Sequence, residues 1–493
     1  MSLNTKILKI KNHKINIDTA WIINTDSSTS NDISQNVSIK ASEVVGDIVP
    51  LININEFIFT ESDVKYLEIN ESGFTPTIKI KVIDRTGAFT HKFFPRNKSL
   101  MKIYVKSNNK NVKAIRCDFL ITNIKSSYGG NDVGMSEGRG CHYTIDGILN
   151  IPKITDNQTH IYNETAYNAL FDLVDNIDLG FSTNELSTND KMSWIQPNMS
   201  YQEMVEFITD HAYKDGDSFY TSFIDRYYNL TFINMKDMLS QDTEFDAMFL
   251  SLTQNKSYYD KNNISDTNDT PVDNILTNFS GHKGLPNFIT GYKPSSKQGL
   301  TLLENPNRKN MYYYDINAST NNAEKFISMF VEPFGSVITD EEIGNNQINV
   351  WSGIDYNNTH RNFIYAEHSN AQNIIDYNKT KLSVSLIGVN LNLLRGMRVP
   401  VMIFKEGFEN EMNEETYLPE NHESSDVKNL NGNVTYDADN SGYYVINNIR
   451  FIYDHSTGSN HVALRTELEL GRYDWGKNID PSKFDKNINN NPI

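Results

Sequence analysis

The chain has 493 residues, a mass of 56.4 kDa and a formal charge of −17, a length that points to roughly three domains. An aromatic content of 11 % excludes a disordered chain, and the acidic balance leaves no basic footprint for duplex DNA or an anionic membrane surface. Two cysteines, Cys117 and Cys141, exclude a disulfide-rich scaffold and a four-cysteine zinc site.

Along the chain, 64 asparagines predict many turns and a polar surface. Residues 1–45 read as an N-terminal arm: alternating Ile7, Leu8, Ile10, Ile15 and Ile17 predict a strand over 1–20, and 25–36 is a polar loop. The start lacks the continuous apolar core of a signal peptide, and nothing approaches ~20 apolar residues, so synthesis in a cytoplasm and no membrane insertion are expected. Residues 46–150 are strongly β. Pro50–Thr60 is a long apolar run. Ile78, Ile80 and Val82 alternate with Lys79 and Lys81, Leu100–Val105 and Ala114–Ile124 repeat the rhythm, and Cys141–Ile148 closes it after a glycine-rich loop at Gly129–Gly140. This is the pattern of a small barrel or sandwich. Its two cysteines read as reduced core thiols rather than a disulfide.

Residues 151–375 read as an α+β middle region. Helical spacing marks 164–177, where Ala166, Leu170, Leu173, Val174 and Ile177 precede Gly180. A second helix over 201–212 starts at a capping box, Ser200-x-x-Glu203, with Met204, Val205, Ile208 and Ala212 behind it. A hairpin follows over 218–234 and turns at Asp225-Arg226. Residues 237–300 show no clear rhythm, and 255–270 is a polar loop. Helices are expected near 322–330 and over 362–377. A second barrel-like β domain spans 376–476, with alternation in Leu382–Leu386, Val399–Ile403, Tyr443–Tyr453 and Val462–Leu470. Gly396 opens a turn in it, and residues 477–493 form a tail. Inside this block, 405–440 is an insertion with ten acidic and two basic residues. Such a charge block reads first as a solvated loop. The fold class expected is thus α+β, β-rich, with two barrel-like antiparallel β domains flanking a mixed middle.

Chemistry-bearing patterns are sparse. The glycine-rich loop lacks the Gly-Lys-Ser/Thr of a phosphate cradle. Cys141 and His142 are adjacent, so in a strand they face opposite ways. His455 and His461 flank a turn and read as a hairpin without metal. Glu414-Glu415 and Asp437/Asp439 lie in the insertion, where solvated charge is the default, and no local motif singles out a glycosidase pair. Asn-x-Thr triplets at Asn157 and Asn229 are expected by chance at this asparagine content. No catalytic, cofactor-binding or metal residue is predicted, and no cofactor.

Two segments carry a resemblance. The first runs Ser193-Trp194-Ile195-Gln196-Pro197-Asn198-Met199-Ser200, then the capped helix through Ile208, Ser218-Phe219-Tyr220, and Tyr228-Asn229-Leu230-Thr231-Phe232. The second includes Ala366–Ile375, Leu382-Ser383-Val384, Leu394-Arg395-Gly396-Met397-Arg398-Val399-Pro400-Val401, Ser441–Ile446 and Leu464–Arg472. In order and patterning these resemble contractile-tail hub proteins: phage late-control D, the VgrG amino-terminal region and the central baseplate hubs of large myophages. The resemblance covers about two-thirds of the chain and leaves 237–360 and the acidic insertion unmatched. It implies a structural baseplate hub without catalysis, located in the virion tail. Three chains with two barrels each would form a ring that adapts a six-fold tail tube to a three-fold central spike. Baseplate wedge proteins would be further partners, and DNA would pass through the lumen without specific binding. The competing readings are a tail-associated cell-wall or polysaccharide hydrolase and a receptor-binding tail protein.

Overall fold

The computed structural model describes residues 7–22, 48–96, 98–107, 114–128, 140–240, 249–251, 288–296, 308–315, 347–354, 358–360, 362–378, 380–387, 391, 393–406, 434–436, 440–455 and 463–472. The chain begins with β1 (Leu8–Lys11), followed by a first β block: β2 (Ile48–Ile54), β3 (Phe57–Phe59), β4 (Val64–Glu71), β5 (Thr77–Asp84), β6 (Leu100–Ser107), β7 (Ile115–Tyr128) and β8 (Cys141–Leu149). A mixed region follows: β9 (Asn157–Tyr162), α1 (Ala166–Asn176), β10 (Gly180–Thr183), β11 (Trp194–Ser200), α2 (Tyr201–Asp210), β12 (Tyr220–Ile224), β13 (Asn229–Asn234) and α3 (Met235–Ser240). Four strands come next: β14 (Phe249–Ser251), β15 (Phe288–Ser296), β16 (Arg308–Asp315) and β17 (Gln347–Ile354). Then come α4 (Phe363–Tyr377), β18 (Thr380–Ile387), β19 (Arg398–Met402), β20 (Phe404–Glu406), β21 (Val434–Tyr436), β22 (Gly442–Asp454) and β23 (Ala463–Arg472). The fold is β-rich α+β, as expected.

In the first block the strands follow the order β4-β5-β8-β7-β6-β2-β3, every pair antiparallel. The alternation read in the sequence becomes the inner face of a curled sheet. Ile78, Ile80 and Val82 of β5 point inward with Ile52, Ile103, Phe119 and Ile145, while Lys79 and Lys81 stay outside. The apolar run Pro50–Thr60 is not one strand but the β2–β3 hairpin. Its two central residues, Asn55 and Glu56, both take positive φ (49° and 72°), as a two-residue hairpin turn requires. The Asn53 side chain accepts the Glu56 N–H at 3.1 Å and locks the turn.

Six strands close the second block. The order β19-β14-β15-β18-β23-β22 returns to β19 through a β19–β22 pairing, so this unit is a complete barrel. It is antiparallel except at β14, which runs parallel to both neighbours. Closure satisfies backbone groups that an open sheet would leave at its edges. Strands β14 and β15 come from the stretch read as part of the middle region. The sequence there lacks a regular rhythm because β14 is three residues long, too short to show a period. One further pairing joins the blocks: β22 hydrogen-bonds to β4 over Ile449–Asp454, which makes a single 13-stranded sheet of both.

The mixed region is built on a four-stranded sheet of order β1-β10-β13-β12 with α1 and α2 against it. Helix α2 starts where the capping box predicts. The Ser200 hydroxyl accepts the Glu203 N–H at 3.2 Å, and the Glu203 carboxylate accepts the Ser200 N–H at 2.7 Å. Its apolar stripe, Met204, Val205 and Ile208, is buried. The strand expected over 1–20 is shorter: among the described residues 7–20, Leu8–Lys11 pairs with β10, while 12–19 runs on without a ladder. Its alternation still has a cause, because Ile15 and Ile17 pack against the core while Lys14 and Asn16 face water. The helix expected near 322–330 lies outside the described residues, as do 255–270, Gly129–Arg139 and most of the acidic insertion.

Ser200→Ala removes an acceptor from the first turn of α2, and a loss of about 1 kcal/mol in stability is expected. The check is the urea midpoint, which should fall with an unchanged slope; a change within error would show that water replaces the cap.

Candidate functional site

The two β blocks and the mixed region meet at the tip of the β12–β13 hairpin, Asp225-Arg226-Tyr227-Tyr228. The Asp225 carboxylate organises this tip. It accepts the N–H groups of Tyr227 (2.8 Å) and Asn229 (2.9 Å) and the Asn229 side-chain amide (2.9 and 3.1 Å). Tyr228 adopts φ +60°, a left-handed conformation that a non-glycine residue enters at a cost of about 1–2 kcal/mol. Its tertiary contacts offset that cost. The ring is fully buried, and its hydroxyl accepts the Asp118 N–H of β7 at 2.8 Å.

The turn drives Arg226 into the interior, where the side chain is 0 % exposed. One terminal nitrogen donates to Glu71 Oε1 of β4 at 2.7 Å. The other donates to the carbonyls of Leu391 (2.5 Å) and Leu393 (2.7 Å), in the segment that leads to β19. The guanidinium also lies over the rings of Tyr227 and of Phe451 on β22, at 4.7 and 4.8 Å. On the backbone side, the buried Cys117 thiol of β7 donates to the Arg226 carbonyl at 3.0 Å. Burial pushes the Glu71 carboxyl above its ordinary pKa, and the adjacent guanidinium opposes that push. A buried charge is tolerated only when paired and hydrogen-bonded, and this one has an anion, two carbonyls and two rings around it.

A second arginine repeats the theme closer to solvent. Arg395 donates to the Gly73 carbonyl, in the β4–β5 turn, at 2.6 Å and lies 4.3 Å from the Phe223 ring of β12. The chain turns sharply beside it at Gly396 (φ +86°), where a Cβ would collide with Ile233 and touch Phe223. The turn read from Gly396 is therefore also a close approach between the second barrel and the mixed region.

Helix α4 ties these two units together elsewhere. Asn370 accepts the Tyr220 N–H (2.6 Å) and donates to the Thr209 carbonyl (3.2 Å). Tyr377 donates to the Asn447 side chain of β22 at 2.6 Å. Phe363 stacks on His211 at 3.9 Å. Burial lowers the neighbouring His360 to about 4, which keeps it neutral. At the start of α1, buried Asp190 accepts the Ala166 N–H, the Thr188 hydroxyl and the Tyr213 N–H at 2.7–2.8 Å. Burial pushes its carboxyl up to about 6 against those donors.

A groove of about 560 Å³ runs over the outer face of the shared sheet, with Asn70, Lys293, Ser385, Arg450, Glu467 and Glu469 on its walls. Its two glutamates and Arg450 are paired. Arg450 bridges Glu467 on β23 and Glu68 on β4, and Lys381 meets Glu469 at 2.7 Å. This is a solvated ladder across the seam between the two blocks.

Cys117 and Cys141 are both free thiols, at opposite ends of the β7–β8 pair. His142 follows Cys141 on β8. His455 donates its backbone N–H to the Lys65 carbonyl, while His461, Glu414-Glu415 and Asp437/Asp439 lie outside the described residues. Asn157 is exposed on β9, and Asn229 is buried against Asp225. Among the described residues no three His, Cys, Asp or Glu side chains gather as metal ligands, and no helix is long and apolar enough to cross a membrane. Sequence reading missed Arg226, Glu71 and Arg395 as a cluster. Arg226 looks like an ordinary polar turn residue, and its partners lie 155 to 167 positions away.

Truncating Arg226 alone leaves Glu71 buried without its partner, so Arg226→Met should cost about 3–5 kcal/mol, whereas adding Glu71→Gln should recover about 1 kcal/mol or more. Chemical denaturation of the two variants tests this, and a double variant no better than the single would contradict it. For Asp190 the folded pKa lies above the unfolded value of 3.8. Its stabilisation is therefore complete below the unfolded value and lost as pH rises through about 6. Asp190→Asn should flatten the fall in melting temperature between pH 4 and 6; an unaltered slope would assign the effect elsewhere.

No family model matches the sequence, and neither does any curated protein. Solved structures do. A 43 kDa tail protein of prophage MuSo2 from Shewanella oneidensis aligns at 10 % identity and TM-score 0.48, over 86 % of this chain and 99 % of that one. A tail protein from Neisseria meningitidis MC58 aligns at 10 % identity and TM-score 0.45, over 86 % and 96 %. A chain of the Francisella PdpA-VgrG complex aligns at 9 % identity and TM-score 0.38, over 87 % of this chain and 59 % of that one.

Proposed function

We propose that the chain is a structural baseplate hub protein of a contractile phage tail, with no catalytic role. The observation that carries this reading is the joining of a curled β sheet and a closed β barrel through the β22–β4 pairing into one sheet. Three copies of such a chain present six barrel-like units in a ring. A ring of that kind stacks on a six-fold tube on one side and holds a three-fold spike on the other. The order of segments that resemble hub proteins, from Ser193 to Phe232 and from Ala366 to Arg472, supports the same reading.

In this reading residues 46–150 form the first barrel-like domain and 376–476, completed by β14 and β15, the second; the rest of 151–375 is the joining region, 1–45 an arm and 477–493 a tail. The partners are two further copies, the tail tube protein, the central spike protein and baseplate wedge proteins. DNA passes through the lumen without specific contacts, favoured by an acidic chain that does not hold phosphate. The protein is made in the host cytoplasm and resides in the virion tail.

Light-scattering mass measurement on the purified chain should give three times 56.4 kDa, and images of the particles should show a three-fold ring with six lobes. A stable monomer or dimer with no ring on the tail axis would refute the proposal.

A further inference from the structure

We infer that Arg226 is the positioning residue that sets the angle between the two barrels, and that closure of the ring depends on it. This inference rests on the hub reading above. The barrels share one strand pair, β22–β4, which fixes a line of contact but not an angle, because neighbouring strands tolerate a wide range of twist. A second, off-axis tie is needed to triangulate them. The hairpin tip supplies it from a third unit. Arg226 is held by Glu71 of the first barrel and by the Leu391 and Leu393 carbonyls of the second. Beside it, the Ile224 N–H donates to the Phe74 carbonyl at 2.8 Å, Tyr228 receives the Asp118 N–H, and Arg395 reaches back to the Gly73 carbonyl. All these contacts cross between units.

Arginine suits the role because its planar fork reaches one carboxylate and two carbonyls at once in a fixed geometry. Lysine carries the same charge as a compact point with rotatable donors, so it satisfies the charge without fixing the directions. A residue that only stabilises the fold would lower the melting temperature and leave the barrel-to-barrel distance sharp. A positioning residue would broaden that distance in a protein that is still folded.

The experiment places spin labels at Lys125→Cys on β7 and Lys293→Cys on β15, both exposed, in a Cys141→Ser background of the full chain. Pulsed dipolar distances and mass are then compared for the parent, Arg226→Lys, Arg395→Gln and Glu71→Gln. The parent, assembled with an excess of unlabelled chain so that a particle carries one labelled protomer, should give one narrow distance. Arg226→Lys should at least double its width and lower the trimer fraction about tenfold, with a smaller effect for Arg395→Gln. An unchanged width in a folded variant overturns the inference, as does a broadened protein that still forms trimers. If all three variants fail to fold, the cluster serves stability alone and the inference is likewise overturned. A parent with a narrow distance that never trimerises refutes the hub reading; a width that then broadens in Arg226→Lys shows the angle-setting role separately, and ring closure falls with the hub reading.

Discussion

The buried contact between Arg226 and Glu71 is the constraint around which the other long-range contacts are arranged. It brings a guanidinium to a place where it has no water, so every neighbour must answer for its charge. Glu71 supplies the anion, Leu391 and Leu393 supply carbonyls, and Phe451 and Tyr227 supply ring faces. These residues come from the first block, from the approach to β19, from β22 and from the hairpin itself. None of them could move far without leaving a buried charge short of a partner. The left-handed Tyr228 fits the same logic: local strain is accepted at the tip because the tip is where the units are joined.

The surrounding contacts divide into two kinds. Inside each barrel the stabilisation is apolar, spread over alternating inward positions such as Ile78, Ile80, Leu382 and Val384. Between units apolar packing continues, as where Phe223 and Ile233 meet Val445, and directional bonds to backbone groups are added to it: Arg395 to Gly73, Asn370 to Tyr220 and Thr209, Tyr228 to Asp118. Apolar burial is tolerant of small shifts, whereas these bonds weaken steeply with angle. The barrels are thus robust as objects while their mutual placement is strictly specified.

What was legible in the sequence follows from the same division. Period-two alternation in β5, β18 and β23 and the helical stripe behind Ser200 are local signals of burial, and each led to the right element. The β-rich α+β class follows from them. Alternation misled at residues 12–19, because an extended segment can pack Ile15 and Ile17 without pairing; the apolar run Pro50–Thr60 is β as read, with a hairpin turn at Asn55 inside it. Strands β14 and β15 were illegible because their place is set by partners elsewhere, Val401 and Leu386 among them. The Arg226 cluster was illegible for a stronger reason. A turn arginine normally faces water, and only the folded chain brings Glu71 to it.

The sharing of β22 between both barrels has a consequence for how the protein is made. A ribosome releases β4 early, with the rest of the first block, but releases β22 several hundred residues later. At ordinary elongation rates that interval is on the order of a minute. Throughout it, the edge of β4 presents unpaired backbone groups, with Glu68 and Asn70 among its side chains. An open edge of this kind recruits neighbouring chains unless it is charged or covered. Nascent copies growing on one message would expose the same edge side by side, and a charged residue such as Glu68 on that edge disfavours their pairing until β22 arrives.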